Sequence, residues 1–152
     1  MLSFDESNVK SFVLSPNGEQ IAYIEAVSGD EDKDSEKLVI RNTKGGELVR
    51  SFTAQEKYKL PVWSDSSHKM VFFFSNDTSL NNYQMTLYDF ELSASLSFGD
   101  TLDAKLDATL VPSQWRSPFF SKDGDRLFFG VHDRAVKEQE DSLLDEEKYH
   151  LD

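Results

Sequence analysis

One pattern occurs three times along this 152-residue chain. An apolar or aromatic run leads into a polar turn opened by serine, and a second apolar run follows. The copies cover residues 11–23, 60–72 and 117–129, and their turn serines are Ser15, Ser64 and Ser121. A pattern that returns about every 50 residues decides the architecture ahead of any local reading, because such units bury their apolar faces against one another. The last copy runs out at Asp152, so the array is expected to be severed rather than closed.

A second element recurs between the copies. Leu38-Val39-Ile40-Arg41-Asn42 matches Met85-Thr86-Leu87-Tyr88-Asp89, and each is followed by a turn (Lys44-Gly45-Gly46; Glu91-Leu92-Ser93). A fourth short run ends at Ser51-Phe52 in one unit and Ser97-Phe98 in the next, and the same pair stands at Ser3-Phe4. Four short strands in about 45–55 residues is the content of one propeller blade. Residues 70–74 (Met-Val-Phe-Phe-Phe) and 127–129 (Leu-Phe-Phe) are β-branched and aromatic. They are too short and too continuous for an amphipathic helix and read as buried strands. Asn17-Gly18 and Asp123-Gly124 supply the positive φ of a tight hairpin turn, and Pro16 sets φ at an early turn position. The middle copy has Ser66-Ser67 there, which predicts a looser turn or one of another type.

The fold class expected is all-β: a partial β-propeller of four-stranded antiparallel blades. Residues 1–8 would hold the outer strand of a preceding blade, 9–53 one blade, 54–98 the next, and 112–152 a truncated third. In the connection after residue 98, Leu102, Leu106 and Leu110 fall at helical spacing and suggest a short helical turn. Residues 133–142 read as a solvated insertion. A propeller closes with at least four blades. Fewer leave strand edges and apolar faces uncovered. The isolated chain is therefore expected to self-associate, swap strands, or pack its blades on a partner.

Charge narrows the partners. The chain has 28 Asp+Glu against 16 Lys+Arg, a formal net charge of −12. Nucleic acids and anionic membranes require a basic face, so neither is expected. Cationic partners are favoured electrostatically, although solubility alone accounts for the excess. Without cysteine there is neither a disulfide framework nor a thiolate metal site. No run approaches the roughly 18 apolar residues of a membrane span. The opening residues, Met1 to Glu6, lack the basic and apolar segments of a secretory signal.

Candidate chemistry is sparse. Residues 30–36 carry alternating carboxylates like a calcium loop. An EF-hand starting at Asp30 would need glycine at 35 and glutamate at 41, where the chain has Ser35 and Arg41. A solvated loop is expected instead. His132-Asp133 could orient a base, but a triad also needs a serine or cysteine within reach. His68, His132 and His150 have no zinc spacing. Trp63, Trp115, Tyr23 and Phe72-Phe73-Phe74 could form a ligand-binding patch; aromatics at repeated positions are expected in the core between blades. Asn76-Asp77-Thr78 fits the N-glycosylation pattern. No catalytic, cofactor-binding or metal-binding residue is assigned, and no cofactor is expected.

Leu14-Ser15-Pro16-Asn17-Gly18 with Ile21-Ala22-Tyr23 resembles the TolB-like (PD40, WD-like) β-propeller repeat. So do Pro61-Val62-Trp63-Ser64-Asp65 and residues 117–124. This repeat builds the Tol translocation protein and the N-terminal propeller of prolyl oligopeptidase-like serine peptidases. Residues 144–152 are similar to a stretch in the propellers of bacterial members of that peptidase group. The resemblance implies a noncatalytic propeller fragment that gates peptide substrates and docks on an α/β-hydrolase domain, in a periplasmic or exported parent. The nucleophile of such peptidases lies in a Gly-x-Ser-x-Gly elbow. None of the seven glycines here frames a serine in that way. Glu146-Glu147, the only adjacent glutamate pair, does not match the amino-terminus-binding pair of dipeptidyl members. The alternative is a TolB-like propeller that binds protein partners and carries no enzyme.

Overall fold

The computed structural model describes residues 8–28, 34–76, 82–98 and 109–135. Among these the structure is all-β and antiparallel, with no helix. The first sheet is a meander of β1 (Val9–Leu14), β2 (Gln20–Val27), β3 (Ser35–Asn42) and β4 (Leu48–Ser51), in that order. In the second, β5 (Lys57–Tyr58) and β6 (Val62–Trp63) both pair with β7 (Lys69–Ser75), which continues to β8 (Gln84–Asp89) and β9 (Ala94–Phe98). The third consists of two short ladders. There β10 (Leu110–Pro112) pairs with β13 (Val131–Asp133), and β11 (Phe119–Phe120) pairs with β12 (Leu127–Phe128).

The first strand of each sheet is interrupted, and the interruption grows along the chain. In the first sheet Val9 faces Glu25 but Ser11 faces Ile24, so Lys10 is one extra residue. In the second, Tyr58 faces Phe74 and Val62 faces Val71, which sets Lys59, Leu60 and Pro61 against Phe72 and Phe73. Pro61 has no N–H to give the ladder, which favours the break here. In the third, Pro112 faces Val131 and Phe119 faces Phe128. Residues 113–118 then bulge out opposite Phe129 and Gly130 alone. Leu110 lies in this strand pairing and not in a helical turn; Leu102 and Leu106 fall outside the described residues. Leu110 is half-buried there beside the buried Val111 and Pro112.

The three serine turns share one geometry. Ser15, Ser64 and Ser121 each accept, on the backbone carbonyl, a hydrogen bond from the N–H three residues on: Gly18, Ser67 and Gly124, all at 2.9 Å. Each serine hydroxyl accepts from the N–H five residues on, at 3.0 Å from Gln20, 3.1 Å from Lys69 and 3.0 Å from Arg126. The residue at the fourth turn position has positive φ in every copy: 73° at Gly18, 65° at Ser67 and 79° at Gly124. The looser middle turn expected from Ser66-Ser67 is therefore not found. Ser67 adopts the left-handed conformation at a cost of about 1–2 kcal/mol. In return its hydroxyl oxygen accepts the backbone N–H of Asn17 at 3.1 Å, which ties the second turn to the first.

The sheets stack face to face. One cluster fills the space between the first and second: Ala22, Ile24, Leu38 and Ile40 from one side, Tyr58, Trp63, Met70, Phe72 and Tyr88 from the other. A second cluster joins Val71, Phe73, Tyr83 and Met85 to Phe120, Leu127 and Phe129 of the third sheet. Successive strand residues point to opposite faces. The apolar run of β7 therefore feeds both clusters, which explains why it shows no alternation. The outer strand expected before residue 8, the acidic stretch from Asp30 to Lys33, and residues 136–152 of the expected insertion and truncated blade fall outside the described residues.

Candidate functional site

The residues singled out for chemistry do not converge. His68 Nδ1 lies 3.1 Å from Glu91 Oε1 on an exposed turn. His132 Nδ1 is 2.8 Å from the backbone carbonyl oxygen of its neighbour Asp133, and its Nε2 is buried with no hydrogen-bond partner. No serine hydroxyl reaches that ring, so the described residues hold no triad around His132. They also hold no group of three His, Asp or Glu side chains able to grip a metal. His150 and the Glu146-Glu147 pair lie outside the described residues. Of the glycosylation pattern only Asn76 is described.

Trp63, Tyr23, Phe72 and Phe73 are buried, as expected of aromatics at repeated positions. Trp63 stacks on Phe90, with ring centres 5.1 Å apart and planes 13° from parallel. Trp115 departs from that expectation. It is 68% exposed and leans on the His132 ring at 4.8 Å. The six-residue bulge lifts it off the sheet, whereas Trp63 lies within a strand.

Sequence reasoning missed the polar centre of the molecule, Glu36. The sequence places it at the end of an acidic stretch expected to be a solvated loop, yet it is 3% exposed on β3. One oxygen accepts from Lys10 Nζ of β1 at 2.8 Å, with Lys57 Nζ at 3.9 Å; the other accepts from the Tyr58 backbone N–H at 2.8 Å. Its own backbone exchanges two hydrogen bonds with Gln55, at 2.7 and 2.9 Å. Glu36 thus clasps the first sheet to the segment that opens the second. The contact with Glu36 raises the Lys10 ammonium above its ordinary value. The signal was present in the sequence: Glu36, Leu38 and Ile40 alternate on one strand, and a charge on a buried face needs partners. Beside this clasp, an open groove is lined by Asp34, Ser35, Ala54, Gln55, Glu56 and Asn76.

Further polar contacts bind the second sheet to the third. Lys69 Nζ donates to the Gly124 carbonyl at 3.1 Å, and Lys59 Nζ to the Gln114 carbonyl at 3.3 Å. Burial, and after it the charge of Lys57, lowers the Lys59 ammonium pKa. Asn82 and Ala135 exchange two hydrogen bonds, at 2.6 and 3.0 Å. The serine turns consequently stand side by side along one rim. At the third, the Ser121 hydroxyl donates to Asp123 and holds its carboxyl below the ordinary value, helped by the Asp125 N–H.

What this arrangement can do is present surfaces. Its exposed large apolar side chains include Phe12, Leu14 and Leu48 on the first sheet and Trp115, Phe119 and Phe128 on the third. Phe119 and Phe128 stack on each other with ring centres 5.0 Å apart.

No family model and no curated protein matches the sequence. Solved structures do. The chain is similar to the β-propeller domain of the Trilobed protease from Pyrococcus furiosus, described as having an open velcro topology. The TM-score is 0.54 at 16% identity, over 86% of this chain and 41% of that one. It is also similar to a structure from a study of two prolyl endopeptidases and their inter-domain dynamics. That TM-score is 0.51 at 15% identity, over 86% of this chain and 21% of that one. The chain spans less than half the length of either. The likeness establishes the fold: these are stacked antiparallel sheets of the β-propeller kind.

Proposed function

We propose that this chain is a noncatalytic β-propeller portion of a prolyl oligopeptidase-like serine peptidase, which gates substrate and docks on an α/β-hydrolase domain. The observation that carries the reading is the stack itself. Three stacked antiparallel sheets share one serine turn, and the stack is similar in fold to the β-propeller domain of a protease and to a structure from a study of prolyl endopeptidases. A propeller would contribute size selection, since a stack of sheets around a passage admits an extended peptide and blocks a folded protein.

The test is a peptidase assay on this chain beside its full-length parent, with a short chromogenic prolyl peptide and a folded protein as substrates. The parent should cleave the peptide and spare the folded protein, and the chain alone should cleave neither. Hydrolysis by the chain alone, or a parent with no peptidase activity, would overturn the proposal. The second result would leave a protein-binding propeller as the better account.

A further inference from the structure

An uncovered sheet edge offers a row of unpaired N–H and C=O groups, and proteins blunt such edges with charge, proline or a bulge. The first and second sheets have four edges between them. On one, β1 is broken by the extra residue Lys10, whose ammonium is held by Glu36. On the next, β4 carries Arg50 and is bulged at Val49, since Ile40 faces Arg50 while Arg41 faces Leu48. On the third, β5 holds Lys57 and the break at Pro61 separates it from β6.

The fourth edge, β9, has no such guard. Ala94-Ser95-Leu96-Ser97-Phe98 contains neither charge nor proline, and it pairs with β8 over five residues without a register shift. Among the described residues no strand pairs with its far side. Ala94, Ser95 and Leu96 are exposed, Leu96 by 54%. The edge faces sideways from the middle sheet, not toward either end of the stack.

What fits this edge is its own copy, because the strand is nearly symmetric about Leu96. Antiparallel pairing around a twofold axis at that residue sets Leu96 opposite Leu96, Ser95 opposite Ser97, and Ala94 opposite Phe98. These are an aliphatic pair, two hydroxyls able to share a hydrogen bond, and a small side chain beside a large one, with no like charges opposed. Alternate residues share a face. Ala94, Leu96 and Phe98 of both copies therefore make one apolar stripe, on the side where Phe98 lies 6.1 Å from the Phe129 ring. Ser95 and Ser97 fall on the other side, where the Ser97 hydroxyl is 2.9 Å from that of Thr86.

We infer that two copies of the chain join edge to edge through β9, in an antiparallel pairing centred on Leu96 that makes their second sheets one continuous sheet. The contact is isologous, so it consumes the edge on both copies and stops at the dimer. It does not rest on the peptidase reading.

Sedimentation velocity and thiol cross-linking on the 152-residue chain test it. The wild type should pass from monomer to dimer as concentration rises. Raising the salt should tighten the dimer, because each copy carries a net charge of −12 and the contact itself holds no ion pair. Leu96→Lys sets two ammonium groups opposite each other and should raise the dimer dissociation constant at least about tenfold, with an unchanged β-sheet circular dichroism spectrum. If that variant loses its β spectrum, Ser95→Lys, at an exposed position of the same edge, takes its place. The register is read separately. The chain has no cysteine, so Leu96→Cys introduces one thiol per copy. Across the twofold axis the two Cα atoms should lie about 4.5–5.5 Å apart, within disulfide reach, and diamide should link them into a covalent dimer. Leu92→Cys, at a 74% exposed position on the preceding turn, should stay unlinked, since its partner lies roughly 20 Å away. A wild type that stays monomeric up to about 1 mM overturns the inference. So does a lysine variant that dimerises like the wild type, or a Leu96→Cys chain that links no faster than Leu92→Cys.

Discussion

The second and third sheets start from the same repeat and end in different states. The second is covered on both faces along its central strand β7: Met70, Val71, Phe72 and Phe73 are all at most 4% exposed. The third is covered on one, and the strand pair β11–β12 is only two residues long on each side. Phe129 is packed on the second sheet while Phe128, its neighbour, stands 45% exposed. A propeller-type strand therefore has no fixed inside and outside of its own. Its neighbours decide how much each face contributes.

That contrast can be broken most directly at its aromatics. Phe72→Ala should cost about 3–5 kcal/mol in urea unfolding, because it empties a site walled by Phe52 and Tyr58. Phe119→Ala should stay within about 0.5 kcal/mol under dilute conditions. Equal losses would show that the third sheet is as well packed as the second. Next in size, Glu36→Ala should destabilise by roughly 2–3 kcal/mol, since the buried Tyr58 N–H loses its acceptor and the clasp between the first two sheets opens. Hydrogen exchange should then speed up at Tyr58 and Gln55 while the β7–β8 ladder stays protected.

Gly18→Ala should cost about 1 kcal/mol in thermal or urea unfolding, from its positive φ rather than from crowding, because an added Cβ meets nothing within 4 Å. A loss much above that would mean the rim is packed more tightly than its neighbours indicate. Similar in size at neutral pH is Tyr58→Phe, about 1 kcal/mol for the hydroxyl's hydrogen bond to the Thr53 carbonyl. Its signature is in the pH profile. Burial pushes the Tyr58 hydroxyl from 10.0 up to about 12. The folded state thus holds a proton that the unfolded chain releases first, and this contribution, intact below pH 10, is lost as pH rises through 12. Lys10, raised from 10.5 by Glu36, acts in the same direction. Stability measured between pH 10 and 12 should fall less steeply in Tyr58→Phe than in the wild type. Parallel slopes would mean that Tyr58 is not the group responsible.

The stacking of sheets was legible in the sequence because apolar runs and serine turns are local signals. So was the positive φ at Gly18 and Gly124. What escaped was set by contacts between sheets. Ser67 takes the glycine conformation with a partner, the Asn17 N–H, that lies 50 residues away. Glu36 looked like the tail of an acidic loop until β1 and β5 supplied its partners. Trp115 matched the repeat by type, but the length of its bulge is fixed by the register of Pro112 and Phe119 with the opposite strand, which no local pattern records. For function, the sequence showed the absence of a Gly-x-Ser-x-Gly elbow directly, whereas which face of its sheet each residue beside a serine turn occupies needed the strand register.

The common geometry of Ser15, Ser64 and Ser121 bears on how this repeat drifts. A hydroxyl fastened to the amide five residues downstream keeps the hairpin shut whichever residue occupies its corner. Substitution at the corner is thereby tolerated, and divergence should spare the hydroxyl longer than the glycine. Distant versions of this unit are better sought by that anchoring side chain than by the Asn-Gly or Asp-Gly doublet beside it.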